Sequence, residues 1–155
     1  MRFLHTADWH IGKTLRGISR IDEQSAVLNE IRDIAVREKV DCVLVPGDLF
    51  ESRAPSPEAE RLVFSFFADL IRLKIAGVVI GGNHDHPRRL AAVRPLLDPL
   101  QIHFRPEPMP AAAGGIIELS AGKERACIAV LPFASERHLV DACALMGPEE
   151  QWYQE

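Results

Sequence analysis

Three short apolar runs in the first half of the chain predict the strands of a sheet. They cover residues 3–6, 41–45 and 77–80, and each is too short to form a helix. Amphipathic stretches of helical length separate them. Strand and helix therefore alternate, an order typical of right-handed crossovers and a parallel sheet. The predicted fold class is α/β.

Two helices are predicted between these strands from their start signals and apolar spacing. The segment 19–22 matches a capping box before the first, and Ser56 followed by Pro57 offers an N-cap before the second. The expected buried face of the first helix consists of Val27, Leu28, Ile31, Ile34 and Ala35. That of the second, whose aromatic residues we interpret as core, consists of Leu62, Val63, Phe66, Phe67, Leu70 and Ile71.

The pattern changes in the second half of the chain. A helix is predicted over 90–97 and a strand over 101–104. A loop rich in Pro, Ala and Gly follows over 106–115. Further strands are predicted over 115–119 and 125–131, and a last helix from Ser135 to about Met146.

Length and composition fit one soluble globular domain, or part of one. Of the 155 residues, 47% are apolar and 26% charged, which excludes a mostly disordered chain. The formal net charge of -4 lacks the basic excess of a small duplex-DNA binder. No apolar run suits a signal peptide or membrane span, which predicts a cytoplasmic protein without a membrane partner. Three cysteines, Cys42, Cys127 and Cys143, are interpreted as buried, reduced thiols.

Polar residues follow each of the first three predicted strands. Asp8-Trp9-His10 follows the first, Gly47-Asp48 the second, and Gly82-Asn83-His84-Asp85 the third. The carboxyl ends of neighbouring parallel strands face one crevice, where ligands bind. We therefore expect carboxylates, a side-chain amide and imidazoles to converge there.

These side chains form a donor set suited to divalent metal ions. Carboxylate and amide oxygens combined with imidazole nitrogens suit Mn, Fe or Zn better than Cu(I). Asp8 and His10 are two positions apart, so an extended segment points them the same way, and Asp48 has two oxygens that can bridge two ions. Each motif alone is as typical of a turn, because Asn, Asp and Gly are turn formers. Their shared position after strands favours the metal site.

The three motifs resemble those of the calcineurin-like metallophosphoesterase superfamily. The flanking residues are similar to its SbcD-type nuclease branch over 5–13, 45–50 and 55–59. The resemblance covers residues 1–98 well and 131–139 more loosely. It implies the N-terminal part of a layered β-sandwich flanked by helices.

The resemblance also implies a role for each matched residue. The implied metal ligands are Asp8, His10, Asp48, which bridges both ions, and Asn83. His84 would face the scissile phosphate and stabilise or protonate the leaving group, and Asp85 would orient His84. The implied reaction is phosphodiester hydrolysis with two divalent ions, and Mn²⁺ is the expected metal.

One part of the family pattern does not occur in this sequence. The superfamily completes its site with later histidines in Gly-His and Gly-His-x-His segments, and the chain contains no Gly-His dipeptide. The remaining histidines, none in such a context, are His5, His86, His103 and His138. We therefore expect residues 1–155 to be the N-terminal part of a longer nuclease domain, with an incomplete second metal site and weak or no turnover by itself.

Substrate and partners are expectations drawn from the resemblance. It implies DNA as substrate, an SbcC-type ATPase as partner, a homodimer, and a role in DNA repair or recombination. The candidate DNA-contacting cations, each of which also fits a solvated loop charge, are Lys13, Arg16, Arg20, Arg53, Arg88 and Arg89. Two alternatives stay open: a phosphatase or nucleotide phosphodiesterase on the same scaffold, and a non-catalytic module that dimerises or docks a partner.

Overall fold

The computed structural model describes residues 1–134. The helix predicted from Ser135, together with His138 and Cys143, lies outside the described residues. The helices are α1 (Ile21–Arg37), α2 (Pro57–Leu73) and α3 (Pro87–Leu97). The strands are β1 (Phe3–His5), β2 (Thr14–Leu15), β3 (Ile18–Ser19), β4 (Cys42–Gly47), β5 (Ala76–Gly81), β6 (Ile102–Arg105), β7 (Ile116–Ala121) and β8 (Glu124–Ala129).

Four strands form one parallel sheet in the order β1-β4-β5-β6. Leu4 pairs with Val43, Val43 with Gly77, and Gly77 with Ile102, so one row of residues crosses the whole sheet. Each crossover contains a helix, as parallel pairing requires. The α/β prediction and the parallel arrangement of the first three strands are confirmed.

The sheet separates two apolar layers. Alternate strand residues such as Val43, Val79 and Phe104 belong to the core shared with the helices. Their neighbours Cys42 and Val78 belong to a second cluster, which includes Ile117 and Leu119 of the antiparallel β7–β8 hairpin. Helices therefore cover one face and a hairpin the other, as expected for the N-terminal part of the layered fold. No helix of the described part is both long and apolar enough to span a bilayer.

The start of α2 is as predicted, whereas that of α1 is not. The Ser56 Oγ accepts a hydrogen bond from the Ala59 N–H at 3.3 Å, which caps α2. The N-cap of α1 is Arg20, so the predicted capping box at Ser19 is wrong. Ser19 pairs with Thr14 in a β-ladder one position before the N-cap, and its Oγ accepts a hydrogen bond from the Ile21 N–H at 3.3 Å.

Two predicted core positions are also wrong. Val27 of α1 is 54% exposed, because it lies at the edge of the helix face that Leu28 buries. Cys127 is exposed, because it pairs with exposed Glu118 on the outer face of the β7–β8 hairpin. Cys42 is buried as predicted, and burial raises the pKa of its thiol to about 12.

The loop after β6 is held by a cluster of charged side chains. Arg105 is buried, donates to both carboxylate oxygens of Asp98 at 3.0 and 3.1 Å, and donates to the Gly114 carbonyl at 2.8 Å. Arg94 donates to the same carboxylate at 3.0 Å. Burial by itself would raise the pKa of Asp98, but these hydrogen bonds outweigh it and the pKa is lowered. The cluster fixes the proline-rich loop against α3.

Candidate metal centre

The candidate site lies where the chain leaves the carboxyl ends of β1, β4 and β5. After β1, the segment that carries Asp8 and His10 continues alongside the end of β4. The Asp8 N–H donates to the Pro46 carbonyl at 3.3 Å, and the His10 N–H to the Asp48 carbonyl at 3.1 Å. The polar residues that follow β4 and β1 are therefore held in register by the main chain, as the position of the motifs predicts.

Three side chains bring metal-binding atoms together at this edge. One nitrogen of His10, one oxygen of Asp48 and one nitrogen of His84 all lie within 4.8 Å of one another. The His10 Nε2 is 3.7 Å from the Asp48 Oδ2. The two imidazole rings have centroids 5.1 Å apart and are nearly perpendicular, at 87°. Imidazole nitrogens and a carboxylate oxygen fit a borderline divalent ion such as Mn, Fe or Zn.

The two oxygens of Asp48 face different partners. Its Oδ1 accepts a hydrogen bond from the His84 N–H at 2.7 Å, and its Oδ2 faces His10. The side chain is only 6% exposed. Asp48 thus connects the loop after β5 to the segment after β1, the position that a bridging ligand requires.

Glycines leave the space that the carboxylates occupy. A Cβ at Gly82 would collide with the Asp48 carboxylate, and a Cβ at Gly47 would collide with that of Asp8. Gly47 also has a φ of +94°, which L side chains rarely adopt. These two positions require glycine, because the carboxylates of Asp8 and Asp48 lie directly against the main chain.

Asp8 lies beside the three-residue group and is not a member of it. Its Oδ1 accepts a hydrogen bond from the Asp48 N–H at 3.2 Å. The extended backbone expected for this segment is not found, because Asp8 and His10 both have left-handed backbone, with φ values of 50° and 46°, although both side chains line one cleft. Such strain in non-glycine residues is typical of functional sites. Asn83 is exposed on the loop directly before His84.

Asp85, which the resemblance implies would orient His84, hydrogen-bonds to main-chain groups of the site and not to the His84 ring. The carboxylate is 1% exposed and accepts hydrogen bonds from the N–H groups of Leu49, Phe50 and Gly82, each at 3.1 Å. Burial raises the pKa of Asp85, and the three donors offset part of this increase. Both oxygens are occupied by these donors, so Asp85 fixes the loops that carry Asp48 and His84.

The group that holds the ring of His84 is the main chain of Glu51, which the sequence did not reveal. The His84 Nδ1 lies 2.7 Å from the Glu51 carbonyl oxygen. This hydrogen bond is the largest cause of a raised pKa of His84. A main-chain contact leaves no signature in residue type.

The side chain of Glu51 also faces the site. Its Oε2 lies 2.9 Å from the His10 Nδ1 and 3.7 Å from the Lys13 Nζ. The Glu51–His10 pair lies outside hydrogen-bond geometry despite the short distance. Within residues 1–134, both atoms are buried and have no hydrogen-bond partner.

Trp9, between Asp8 and His10, is a packing residue. Its ring stacks on Phe67 with centroids 5.8 Å apart and meets the edge of Phe66 at 5.1 Å. The indole Nε1 donates to the Thr6 Oγ1 at 3.0 Å. The residue between Asp8 and His10 therefore points into the core and anchors the segment.

A short hairpin that the sequence did not predict follows His10. Strands β2 and β3 are joined by Arg16 and Gly17, both with positive φ. Arg-Gly is not one of the usual dipeptides of such turns, which explains the missed prediction. Gln24 of α1 ties the base of the hairpin by donating to the His10 carbonyl at 2.8 Å and accepting from the Gly12 N–H at 3.0 Å.

The six predicted DNA-contacting cations are all exposed, but they do not form one cluster. Lys13 and Arg20 line a cleft of about 350 Å³ together with Asp8 and His10, and the other four are not among its lining residues. Three have acidic partners: Lys13 with Glu51, Arg20 with Glu23, and Arg89 with Glu60. Arg16, Arg53 and Arg88 form no ion pair within the described part of the chain.

Comparison with known proteins gives consistent matches. Residues 1–155 match the family described as calcineurin-like phosphoesterase. A Bacillus subtilis protein, named as the SbcD component of the nuclease SbcCD, is 41% identical over 140 residues, which cover 90% of this chain and 35% of the relative. A Rhodobacter capsulatus protein of the same name is 38% identical over 149 residues, which cover 90% of this chain and 36% of the relative. A Staphylococcus epidermidis protein of that name is 38% identical over 91 residues, which cover 58% of this chain and 24% of the relative.

The chain therefore spans about a third of the length of the first two relatives. The family match extends over the whole chain and includes all the loops that carry the candidate ligands. The parallel sheet and the polar loops at its carboxyl edge are the arrangement that the motifs led us to expect. The chain belongs to the calcineurin-like phosphoesterase family.

Proposed function

We propose that this chain supplies the first metal-binding part of a divalent-metal-dependent nuclease that hydrolyses DNA phosphodiesters. The observation that carries the proposal is the convergence of His10, Asp48 and His84 within 4.8 Å at the carboxyl edge of the sheet. The similarity to proteins named as the SbcD component of a nuclease supports a phosphodiester rather than a monoester as substrate.

The proposed metal ligands are Asp8, His10, Asp48 and Asn83. His10 and Asp48 would hold an ion through the Nε2 and the Oδ2, which lie 3.7 Å apart, and Asp8 and Asn83 would add further oxygen donors. Divalent ions held there would supply an activated water and stabilise the charge on the phosphoryl group. We propose that the 155 residues alone bind one ion, because the donor side chains that converge within residues 1–134 form a single group of three.

His84 is the proposed acid for the leaving oxygen. A carbonyl oxygen only accepts hydrogen bonds, so the contact with Glu51 requires the proton on Nδ1. The opposite nitrogen, Nε2, is then the atom that exchanges a proton with the substrate. Asp85 supports this arrangement indirectly, by fixing the main chain on both sides of the site.

DNA binding is proposed to depend on local positive charge, since the chain as a whole is negative. Lys13 lies in the cleft beside His10, and Arg16 lies at the tip of the hairpin that follows. We expect a Lys13→Gln, Arg16→Gln double variant to bind DNA of any sequence more weakly and to reduce the salt dependence of binding. Fluorescence anisotropy over a salt series measures both, and Lys123→Gln, on the distant β7–β8 turn, serves as control. An unchanged salt slope in the double variant would contradict the assignment.

The relatives are named as one component of the nuclease SbcCD. We propose by analogy that the protein acts in the cytoplasm in DNA repair or recombination, as a homodimer with an SbcC-type ATPase. These assignments rest on the similarity to the relatives.

The experiment that tests the function compares a phosphodiester with a phosphomonoester. The full polypeptide that contains this region is assayed with Mn²⁺ on bis(p-nitrophenyl) phosphate, on p-nitrophenyl phosphate and on DNA, beside its Asp48→Asn variant. We expect cleavage of the diester and of DNA that the variant loses. Turnover of the monoester alone would show a phosphatase on the same scaffold.

A further inference from the structure

We propose that the side chain of Glu51 is a positioning residue that fixes the ring orientation and the proton position of the metal ligand His10. The inference rests on the proposed metal centre and adds a residue to it. Glu51 is not one of the expected ligands. Its Oε2 lies 2.9 Å from the His10 Nδ1, the ring nitrogen that does not face Asp48.

The main chain places Glu51 beside the segment that carries His10. Ile11 and Phe50 form a parallel β-bridge, and the Glu51 N–H donates to the Ile11 carbonyl at 3.1 Å. The side chain of Glu51 is one-third exposed, but its Oε2 is buried. The carboxylate is thus directed inward, against the ring of His10, by the same contacts that align the two ligand segments.

The unpaired atoms indicate where the proton of His10 lies. Neither the Glu51 Oε2 nor the His10 Nδ1 has a hydrogen-bond partner among the described residues, although they are 2.9 Å apart. Buried polar atoms are costly when unpaired, and a small rotation of the ring gives each a partner. A carboxylate only accepts, so Nδ1 carries the proton. The lone pair then lies on Nε2, the nitrogen that faces Asp48.

Glu51 therefore orients the rings of both site histidines, and it does so through two different chemical groups. The carboxylate of Glu51 acts on His10, and its carbonyl oxygen acts on His84. Lys13, 3.7 Å from the same Oε2, balances the charge of the carboxylate. A carboxylate behind a metal-binding imidazole is a recurrent arrangement that orients the ring and makes the ligand more basic. Because substitution leaves the carbonyl in place, His84 provides an internal control.

The proton position is measured by ¹⁵N NMR of histidine side chains in the metal-free chain at pH 8. The samples are wild type, Glu51→Gln and the control Glu23→Gln, with signals assigned from His10→Gln and His84→Gln. We expect His10 to carry its proton on Nδ1 in the wild type and in the control, and to become a mixture of tautomers in Glu51→Gln. His84 should stay unchanged in all three. A His10 proton on Nε2 in the wild type, or a tautomer that Glu51→Gln does not alter, would overturn the proposal.

Metal affinity gives a second readout. Calorimetry with Mn²⁺ should show about 10- to 100-fold weaker binding by Glu51→Gln, and no change in Glu23→Gln. Equal affinity of Glu51→Gln and wild type would contradict the positioning role. If the wild type bound no Mn²⁺, the proposed metal centre would fail, while the NMR result would still decide the proposal for Glu51. The two failures are therefore distinguishable.

Discussion

At the scale of single residues, the metal centre depends on how closely its carboxylates approach the main chain. Asp48 and Asp8 lie directly against Gly82 and Gly47. A carboxylate held in this way loses little freedom when an ion binds, because its position is set before binding.

Gly82→Ala tests this close approach. The added Cβ collides with the Asp48 carboxylate, so we expect Mn²⁺ affinity to fall at least tenfold. Gly122→Ala is the matched control, because Gly122 has a φ of +59° and open space around it. It should cost about 1 kcal/mol of stability and leave the affinity unchanged. Calorimetry and thermal unfolding measure the two effects. An unaltered affinity in Gly82→Ala would contradict the account.

The burial of Cys42 gives a test of the core between the sheet and the β7–β8 hairpin. Its pKa of about 12 leaves about one thiolate in ten thousand at pH 8, and the thiol is buried. In a Cys143→Ser variant, we expect a thiol reagent to label Cys127 rapidly and Cys42 only after unfolding. Rapid labelling of both residues in the native protein would show that the two layers do not pack as described.

At the scale of elements, local signals predicted what local interactions determine. The N-cap of α2 and its aromatic core face were predicted because propensity and apolar spacing agree there. The N-cap of α1 was not, because Ser19 belongs to a hairpin whose turn has no strong sequence signal. The carboxyl edge of the sheet was predicted from topology. The contacts of Asp85 and Glu51 were not, since they join main-chain groups that no residue type identifies.

The charged cluster around Asp98 is the element-scale feature with the clearest effect on stability. Removing the charge of this residue in Asp98→Asn leaves the buried Arg105 without a counter-ion. We expect the free energy of unfolding to fall by on the order of 3 kcal/mol at neutral pH. The folded-state pKa of Asp98 is lowered, so its contribution is present above the unfolded pKa and is lost as pH falls through the folded pKa. The His103 Nδ1 lies 3.5 Å from the Asp98 Oδ1, and burial lowers the pKa of His103.

Urea unfolding of Asp98→Asn and wild type at several pH values measures this effect. The difference in stability should be largest near neutral pH and should narrow below about pH 4. Asp33→Asn, which removes an exposed partner of Arg32, is the control and should have little effect at any pH. A pH-independent difference for Asp98→Asn would show that the charge of Asp98 is not the stabilising feature.

At the scale of the whole molecule, the layers leave one edge of the sheet as the place where chemistry is concentrated. Helices cover one face of the sheet and a hairpin covers the other, so the loops after β1, β4 and β5 converge at the carboxyl edge. The sequence predicted this convergence and the family. The substrate is not fixed by the fold, because related scaffolds act on different phosphate esters.

The most direct test of the metal centre is the stoichiometry of Mn²⁺ per chain, from calorimetry combined with elemental analysis. Wild type, Asp48→Asn and the surface control Asp33→Asn are compared. The account predicts one saturable ion in the wild type and the control, and its loss in Asp48→Asn, where the charge that connects His10 and His84 is removed. Binding that Asp48→Asn leaves unchanged, or no binding by the wild type, would contradict it.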